Sequence, residues 1–193
     1  MPEPDPRTAS ASVATVKLVI LAAAAIVTGA VGAVSGSLPI RQNLAPFIPT
    51  PDDVVDRMLS LAKVTRTDVV YDLGSGDGRI PIAAAKKYGA KGVGLDIDPA
   101  LVEVANSNAK AAGVDGLVDF RVQNVLTADL SKATVVTLYL LSSSNERLRP
   151  MLMQQLKPGA RIVSHAFSMG RDWPADRRRA TLRGSVRPSS RGW

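Results

Sequence analysis

Cysteine is absent from the 193-residue chain, and histidine occurs once, at His165. The first absence excludes a disulfide framework, a zinc ribbon, an iron–sulfur cluster and a cysteine nucleophile. The second excludes a multi-histidine metal centre. No loop has the Asp/Glu spacing of a Mg²⁺ or Ca²⁺ site, so no metal is expected. A Ser-His-Asp triad would need His165, and no G-x-S-x-G elbow supplies its serine. Aromatics are scarce as well: two Trp, three Tyr and three Phe. At this length there is room for one domain with a real core, and not for two.

Basic charge is in excess, at +7, which raises the question of nucleic acid. Its distribution weakens that reading. Residues 171–193 hold seven Arg against two Asp, so most of the excess lies in one tail. Pro174, Gly184 and Pro188 interrupt that tail, and no strand or helix pattern is visible in it. It reads as a solvated terminus, with an RNA-binding or anionic-membrane tail as the alternative.

The chain divides into four pieces. Residues 1–17, polar with Pro at 2, 4 and 6, read as a disordered lead-in. Residues 18–40 carry no charge between Lys17 and Arg41 and are long enough for a membrane-spanning helix. A cleaved signal peptide or a soluble apolar helix are the other readings. Residues 41–170 form the globular domain, and 171–193 the basic tail. If the apolar segment anchors the chain, the expected location is a membrane, single-pass, with the domain facing the cytoplasm.

Within 41–170 the pattern alternates strand and helix, which predicts an α/β fold with a parallel sheet. Expected strands are 68–73, 91–95, 117–122, 134–141 and 160–167. Expected helices are 79–88, 99–112 and 145–156. Another helix opens at Thr50-Pro51-Asp52-Asp53, with Thr50 as N-cap.

The richest segment is Asp72-Leu73-Gly74-Ser75-Gly76-Asp77-Gly78-Arg79. A glycine-rich turn between strand and helix lets a ligand approach the backbone closely. Asp96 falls 22 residues beyond Gly74, at the end of the next strand, where a carboxylate can accept both hydroxyls of a ribose. The loop holds two acids, Asp72 and Asp77, and only Arg79 nearby. Each acid would cost a pyrophosphate on the order of 1 kcal/mol or more. A sulfonium and an ammonium are instead attracted. Charge sign therefore favours S-adenosylmethionine over a dinucleotide, and the P-loop signature is absent.

These residues resemble a class I, Rossmann-like, S-adenosylmethionine-dependent methyltransferase. The run PFIPTPDDVV (46–55), YDLGSGDGRI (71–80), DIDPALV (96–102), VVTLYLL (135–141) and LKPGARIVSHAF (156–167) is similar to the small membrane-anchored protein-lysine N-methyltransferases. Members of that family modify the ATP synthase c-subunit and the adenine nucleotide translocase. The resemblance implies a doubly wound sheet of about five parallel strands, preceded here by one apolar N-terminal helix. It implies that Asp72, Gly74 and Gly76 bind the methionine half of the cofactor, Asp96 the ribose and Ile97 the adenine, with Ser75 as a further cofactor-binding residue of the loop. Asn124, in the loop after the third strand, stands where the class I superfamily usually has an acid at the adenine edge. Thr50 is a candidate at the cofactor or substrate mouth. After Gly170 the pattern departs from the family, and the usual C-terminal strand hairpin is missing.

Methyl transfer from a sulfonium needs alignment and a free lone pair more than a strong acid. Candidates for the acceptor side, at the C-terminal ends of the strands, are Tyr139, Ser142 and Asn145, with the Leu141–Asn145 loop lining the site. Core packing is the other reading of Tyr139, and a structural role the favoured reading of His165. The resemblance implies a lysine of a protein as acceptor, with a membrane protein as the candidate. A small-molecule or RNA methyltransferase and a non-catalytic membrane-tethered relative are the rival functions. No N-P-P-[FY] motif follows the fourth strand, which argues against adenine N6 chemistry.

Overall fold

The computed structural model describes residues 17–22, 47–171, 173 and 177–180. In chain order the elements are β1 (Lys17–Ala22), α1 (Asp52–Leu61), β2 (Val69–Leu73), α2 (Arg79–Tyr88), β3 (Lys91–Asp96), α3 (Pro99–Ala111), β4 (Val118–Val122), β5 (Val135–Leu138), α4 (Ser142–Gln155), β6 (Arg161–His165) and β7 (Arg177–Ala180). A single 3-10 turn, Val125–Thr127, sits between β4 and β5. The strands form one sheet in the order β4-β3-β2-β5-β6-β1-β7, and every pairing is parallel.

Alternation along the strands divides the core. Val70, Val135 and Val163 point to one face and meet Val55, Met58 and Leu59 of α1 and Ile80 and Ala84 of α2. Leu73, Leu95, Leu138 and Ile162 point to the other and meet Leu148 and Leu152 of α4. A third cluster joins Ala85 to Val102 and Ala105 of α3 around Phe120. Burying apolar side chains on both faces explains why these strands read as nearly continuous hydrophobic runs.

Two expectations are corrected. The apolar segment does not begin as a helix: Lys17–Ala22 is strand, in register with Arg161–His165 from Lys17↔Arg161 to Leu21↔His165. Val19 and Ile20 are β-branched and suit a strand, and the edge of β6 offers unpaired backbone groups. The rest of that segment, 23–40, lies outside the described residues. Among the described residues no helix is long and apolar enough to cross a membrane. The second correction is Arg177–Ala180, expected to lack structure, which pairs with β1 as the outermost strand. An Arg-rich sequence suits an outer edge, where charge discourages further pairing.

The chain leaves β2 outward through β3 and β4, then returns to the opposite side of β2 as β5. That reversal opens a crevice at the carboxyl ends of β2 and β5, where open α/β sheets bind ligands. The register Leu73↔Leu138 sets Gly74 level with Tyr139 across it.

Candidate functional site

The glycine loop between β2 and α2 forms one wall of the crevice. Gly78 is the N-cap of α2 at φ +80°, and a Cβ there would lie 2.6 Å from the Phe120 ring and 2.8 Å from Ala105 Cβ. Only glycine permits both that dihedral and that approach of α2 to α3 and β4. Gly76, at φ +52°, has the Phe47 ring laid against it, so a Cβ would collide with the ring.

Asp96, at the end of β3, is fixed by two backbone donors. Gly76 N–H donates to Oδ2 at 2.8 Å and Asp98 N–H to Oδ1 at 3.0 Å. The carboxylate thus ties the glycine loop to the adjacent strand and keeps lone pairs free for hydroxyl donors. Asp72, in β2, is buried, and Thr137 Oγ1 donates to its Oδ1 at 2.7 Å. Burial pushes Asp72 up to about 7; the Thr137 bond opposes this, and the charges of Asp96 and Asp77 add to it. Asp77 is gripped by Arg79, whose Nε and Nη2 donate to Oδ1 and Oδ2 at 3.0 and 2.6 Å.

The structure brings most of the expected cofactor residues together. Thr50, Asp72, Gly74, Ser75, Asp96, Ile97, Asn124 and Tyr139 all line one cleft. Gly76 contributes through its bond to Asp96. Asn124 lines the cleft, but its Oδ1 already accepts from Leu126 N–H at 3.0 Å and caps the 3-10 turn. One lone pair on that oxygen remains for an amino donor. Thr50 is buried, yet it is not the N-cap of α1; Pro51 holds that place, without a side-chain cap. The Thr50 carbonyl instead accepts from Arg79 Nη1 at 2.8 Å.

The expected Leu141–Asn145 loop is instead the first turn of α4, because the helix begins three residues early, at Ser142. Ser142 and Asn145 are outside the cleft lining. Asn145 is fully buried, and its Nδ2 donates to Ser164 Oγ at 3.3 Å and to the Ser168 carbonyl at 3.2 Å, pinning the turn after β6. Tyr139 is half-buried and faces the cleft rather than the core. Its ring meets that of His165, centroids 4.1 Å apart, and that of Phe167 at 6.1 Å. Burial pushes the His165 imidazole below its ordinary range, with Asp53 pulling the other way.

Phe47, Ile48 and Gln123 also line the cleft and are not among the expected site residues, although Phe47 and Ile48 lie in the PFIPTPDDVV run that carries the family resemblance. Gln123 does adjoin Asn124, and that adjacency is the one local pointer to it. Phe47 and Ile48 are half exposed, at 49% and 53%, and their place on the rim is set by tertiary contact.

The donor set fits a cationic nucleoside without phosphate. Four carboxylates, Asp72, Asp77, Asp96 and Asp98, line the cleft; the basic lining residue, Arg79, is committed to Asp77. The buried Ser75 Oγ has no hydrogen-bond partner among the described residues, leaving a polar atom available beside the loop.

Comparison with known proteins agrees with this geometry. The family described as "ANTKMT methyltransferase domain" matches residues 72–177. A protein-lysine N-methyltransferase of Saccharolobus islandicus is 48% identical over 129 residues, covering 66% of this chain and 80% of that protein. The mouse lysine N-methyltransferase of the ATP synthase c-subunit is 31% identical over 137 residues, covering 71% of this chain but 54% of its own length. The chain thus spans about half of that longer relative. Among solved structures, an RNA methyltransferase from Salinibacter ruber in complex with S-adenosyl-L-homocysteine is 62% identical, with a TM-score of 0.66, covering 67% of this chain and 84% of that one.

Proposed function

The chain belongs to the ANTKMT methyltransferase domain family, and from that premise we propose that it transfers a methyl group from S-adenosylmethionine to a lysine amine of a protein. The observation that carries the proposal is the acid-lined, glycine-hinged cleft without an uncommitted cation in its lining. When bound, the donor supplies an electrophilic methyl on a sulfonium, whose departure needs no acid.

The residues of this chain hold and orient. Asp72, beneath the glycine loop, attracts positive charge on the methionine half, and Ser75 offers its unpaired hydroxyl there. Asp96, locked by Gly76 and Asp98, accepts from the ribose. Ile97 packs against the base, and Asn124 and Gln123 meet its edge. Phe47 and Ile48 close the rim and exclude water from the reacting centre.

The names of the relatives pull toward two acceptors, lysine and RNA. Charge separates them. Beside Arg79 the mouth carries Asp52, and Asp53 lies next to it at the start of α1. Together with Asp77 and Asp98 these acids oppose a phosphate backbone and favour a lysine ammonium. Residues 47–171 hold 15 Lys/Arg against 13 Asp/Glu, so the cationic excess lies outside the segment that builds the cleft, with Arg177, Arg178 and Arg179 on the outermost strand of the sheet. S-adenosylmethionine is made in the cytosol, and we place the domain in contact with that compartment.

The test is methyl transfer from labelled S-adenosylmethionine into a cell extract, followed by protease or nuclease digestion. Label released by protease and recovered as methyl-lysine is expected. Label lost to nuclease would overturn the lysine assignment and leave an RNA enzyme. Calorimetric titration with S-adenosylhomocysteine should show one site; the absence of heat would point to a non-catalytic relative.

A further inference from the structure

Asn124 lines the cleft where the class I superfamily usually carries an acid, and its surroundings fix what the amide presents there. The residue follows β4 in extended backbone and caps the 3-10 turn Val125–Thr127. Its Oδ1 accepts from the Leu126 N–H at 3.0 Å. Its backbone carbonyl accepts from the Thr127 N–H and from Thr127 Oγ1, both at 3.1 Å. The Gln123 N–H donates to the Asp96 carbonyl at 2.7 Å, tying the same segment to the strand that bears the ribose acid. Asn124 is thus held from both sides.

The cap also settles which way the amide faces. The oxygen and nitrogen of an asparagine amide are nearly alike in shape, and their partners decide between them. Here the partner is a backbone N–H, so the capping atom must be the oxygen. Nδ2 is then the branch turned away from the 3-10 turn. Among the described residues the hydrogen bonds of Asn124 use Oδ1 and the backbone carbonyl, never Nδ2. An aspartate in the same cap would keep one oxygen on Leu126 and turn the other, an acceptor, to the ligand. The amide turns two N–H donors there instead. The hydrogen-bonding sense of this edge is reversed on an unchanged backbone.

Purines differ in the sense that such an edge reads. Adenine presents an amino donor at C6 beside the acceptor N1. Hypoxanthine presents a keto acceptor at C6. A carboxylate accepts from the amino group and repels the keto oxygen. An amide N–H instead donates to a ring nitrogen of adenine or to the keto oxygen of hypoxanthine. Gln123, beside it in the lining, carries both a donor and an acceptor and imposes neither sense.

We propose that Asn124 sets the base selectivity of the cofactor site: Nδ2 donates to the six-membered edge of the purine, so the site takes a 6-keto purine as readily as adenine. This rests on the cofactor reading given above and adds which purine heads the cleft accepts. Asn124 touches the base and has no part in the methyl transfer itself.

The full chain is titrated calorimetrically with S-adenosylhomocysteine and with S-inosylhomocysteine, which carries the keto group at C6. Wild type should bind the two within about threefold of each other, since one N–H donor serves either base. Asn124→Asp keeps an oxygen on the Leu126 N–H, so the turn stays capped. That variant should favour S-adenosylhomocysteine by about tenfold or more, as a site built to read one hydrogen-bonding group rejects the analogue lacking it. The wild-type ratio decides on its own should the variant not fold. A wild type that already favours the adenine ligand about tenfold, or a ratio unchanged in Asn124→Asp, would overturn the assignment. Either result leaves the cofactor reading intact; no heat with either ligand would refute that reading together with this one.

Discussion

Arg79 Nη1 donates to the Thr50 carbonyl at 2.8 Å while Nε and Nη2 grip the Asp77 carboxylate. One guanidinium therefore joins the glycine loop to the segment that carries Phe47 and Ile48 over the cleft. Arg79 is the first residue of α2, so its side chain emerges beside the segment it holds. Lysine at this position cannot do both tasks, because its ammonium lacks the planar fork. Arg79→Lys should weaken S-adenosylhomocysteine binding about three- to tenfold, the value of one hydrogen bond and a mispositioned rim. Arg79→Met should weaken it more. Hydrogen exchange at residues 47–50 in the ligand-saturated protein should accelerate in both. Calorimetry and exchange together check this, and unaltered protection of that segment would show that Phe47 packing alone holds the rim.

Asp72 presents a different balance. Its folded-state value of about 7 lies above the ordinary carboxylate range, because burial and the charges of Asp96 and Asp77 disfavour ionisation. A raised acid binds more protons folded than unfolded, so its contribution to stability is present below about pH 4 and is lost as pH rises toward 7. Asp72→Asn removes that loss. The unliganded variant should melt at the wild-type temperature near pH 4 and above it near pH 8, by about 2–4 kcal/mol of stability at 25 °C. The same change should remove at least tenfold in S-adenosylmethionine affinity. Wild-type affinity should fall as pH drops below 7, since proton and sulfonium compete for one carboxylate. Thermal melts across pH and calorimetry at pH 6 and 8 check both signs.

What the sequence makes legible is what is local. The helix at 79–88 can be placed to the residue, because Gly78 starts it and Gly89 ends it with a left-handed dihedral. The cofactor residues around the glycine loop are readable because the strand before it, the loop and Asp96 fall within one continuous stretch, 69–96. Long-range pairing is not readable. Lys17–Ala22 meets Arg161–His165 across more than 140 residues, and a short apolar run suits helix and strand alike. Asn145 reads as a cleft residue, since nothing local reports its bonds to Ser164 and Ser168. The strain at Ala166 is invisible, because an alanine carries no sign that it will be forced to positive φ.

Asp96 gives the sharpest separation between binding and folding. Its two backbone donors would survive in Asp96→Asn only in part, because the amide offers one acceptor oxygen in place of two. Asp96→Ala removes both and the ribose contacts with them. Cofactor affinity should fall by about 1–3 kcal/mol in Asp96→Ala, with a smaller loss in Asp96→Asn. The Gly76 N–H, left without its acceptor, should exchange faster in both variants. Isothermal titration and amide exchange measure these effects, and unaltered affinity would remove Asp96 from the ribose site.

At the opposite end of the strands Asp68 holds β2, β5 and β6 together without touching the cleft. It is buried, and its Oδ1 accepts from Thr134 Oγ1 at 2.7 Å and pairs with Arg161 Nη2 at 2.7 Å. Its Oδ2 accepts from the Thr65 N–H at 2.8 Å. Burial alone would raise this carboxyl; the donors Thr134, Thr65 and Arg161 outweigh it and hold the group below its ordinary range. A lowered acid contributes stability that is present above the unfolded-state value and is lost as pH falls through the folded one. Asp68→Ala strips the acceptor from Arg161 and Thr134 at once. It should cost about 2–4 kcal/mol, since breaking a buried pair strands its partner. The acid limb of the melting curve below pH 4 should flatten in the variant. Affinity for S-adenosylhomocysteine, measured below the lowered melting temperature, should stay within twofold of wild type, because the network lies a strand length from the glycine loop. A large loss of affinity would mean that the two ends of the sheet are coupled through β2.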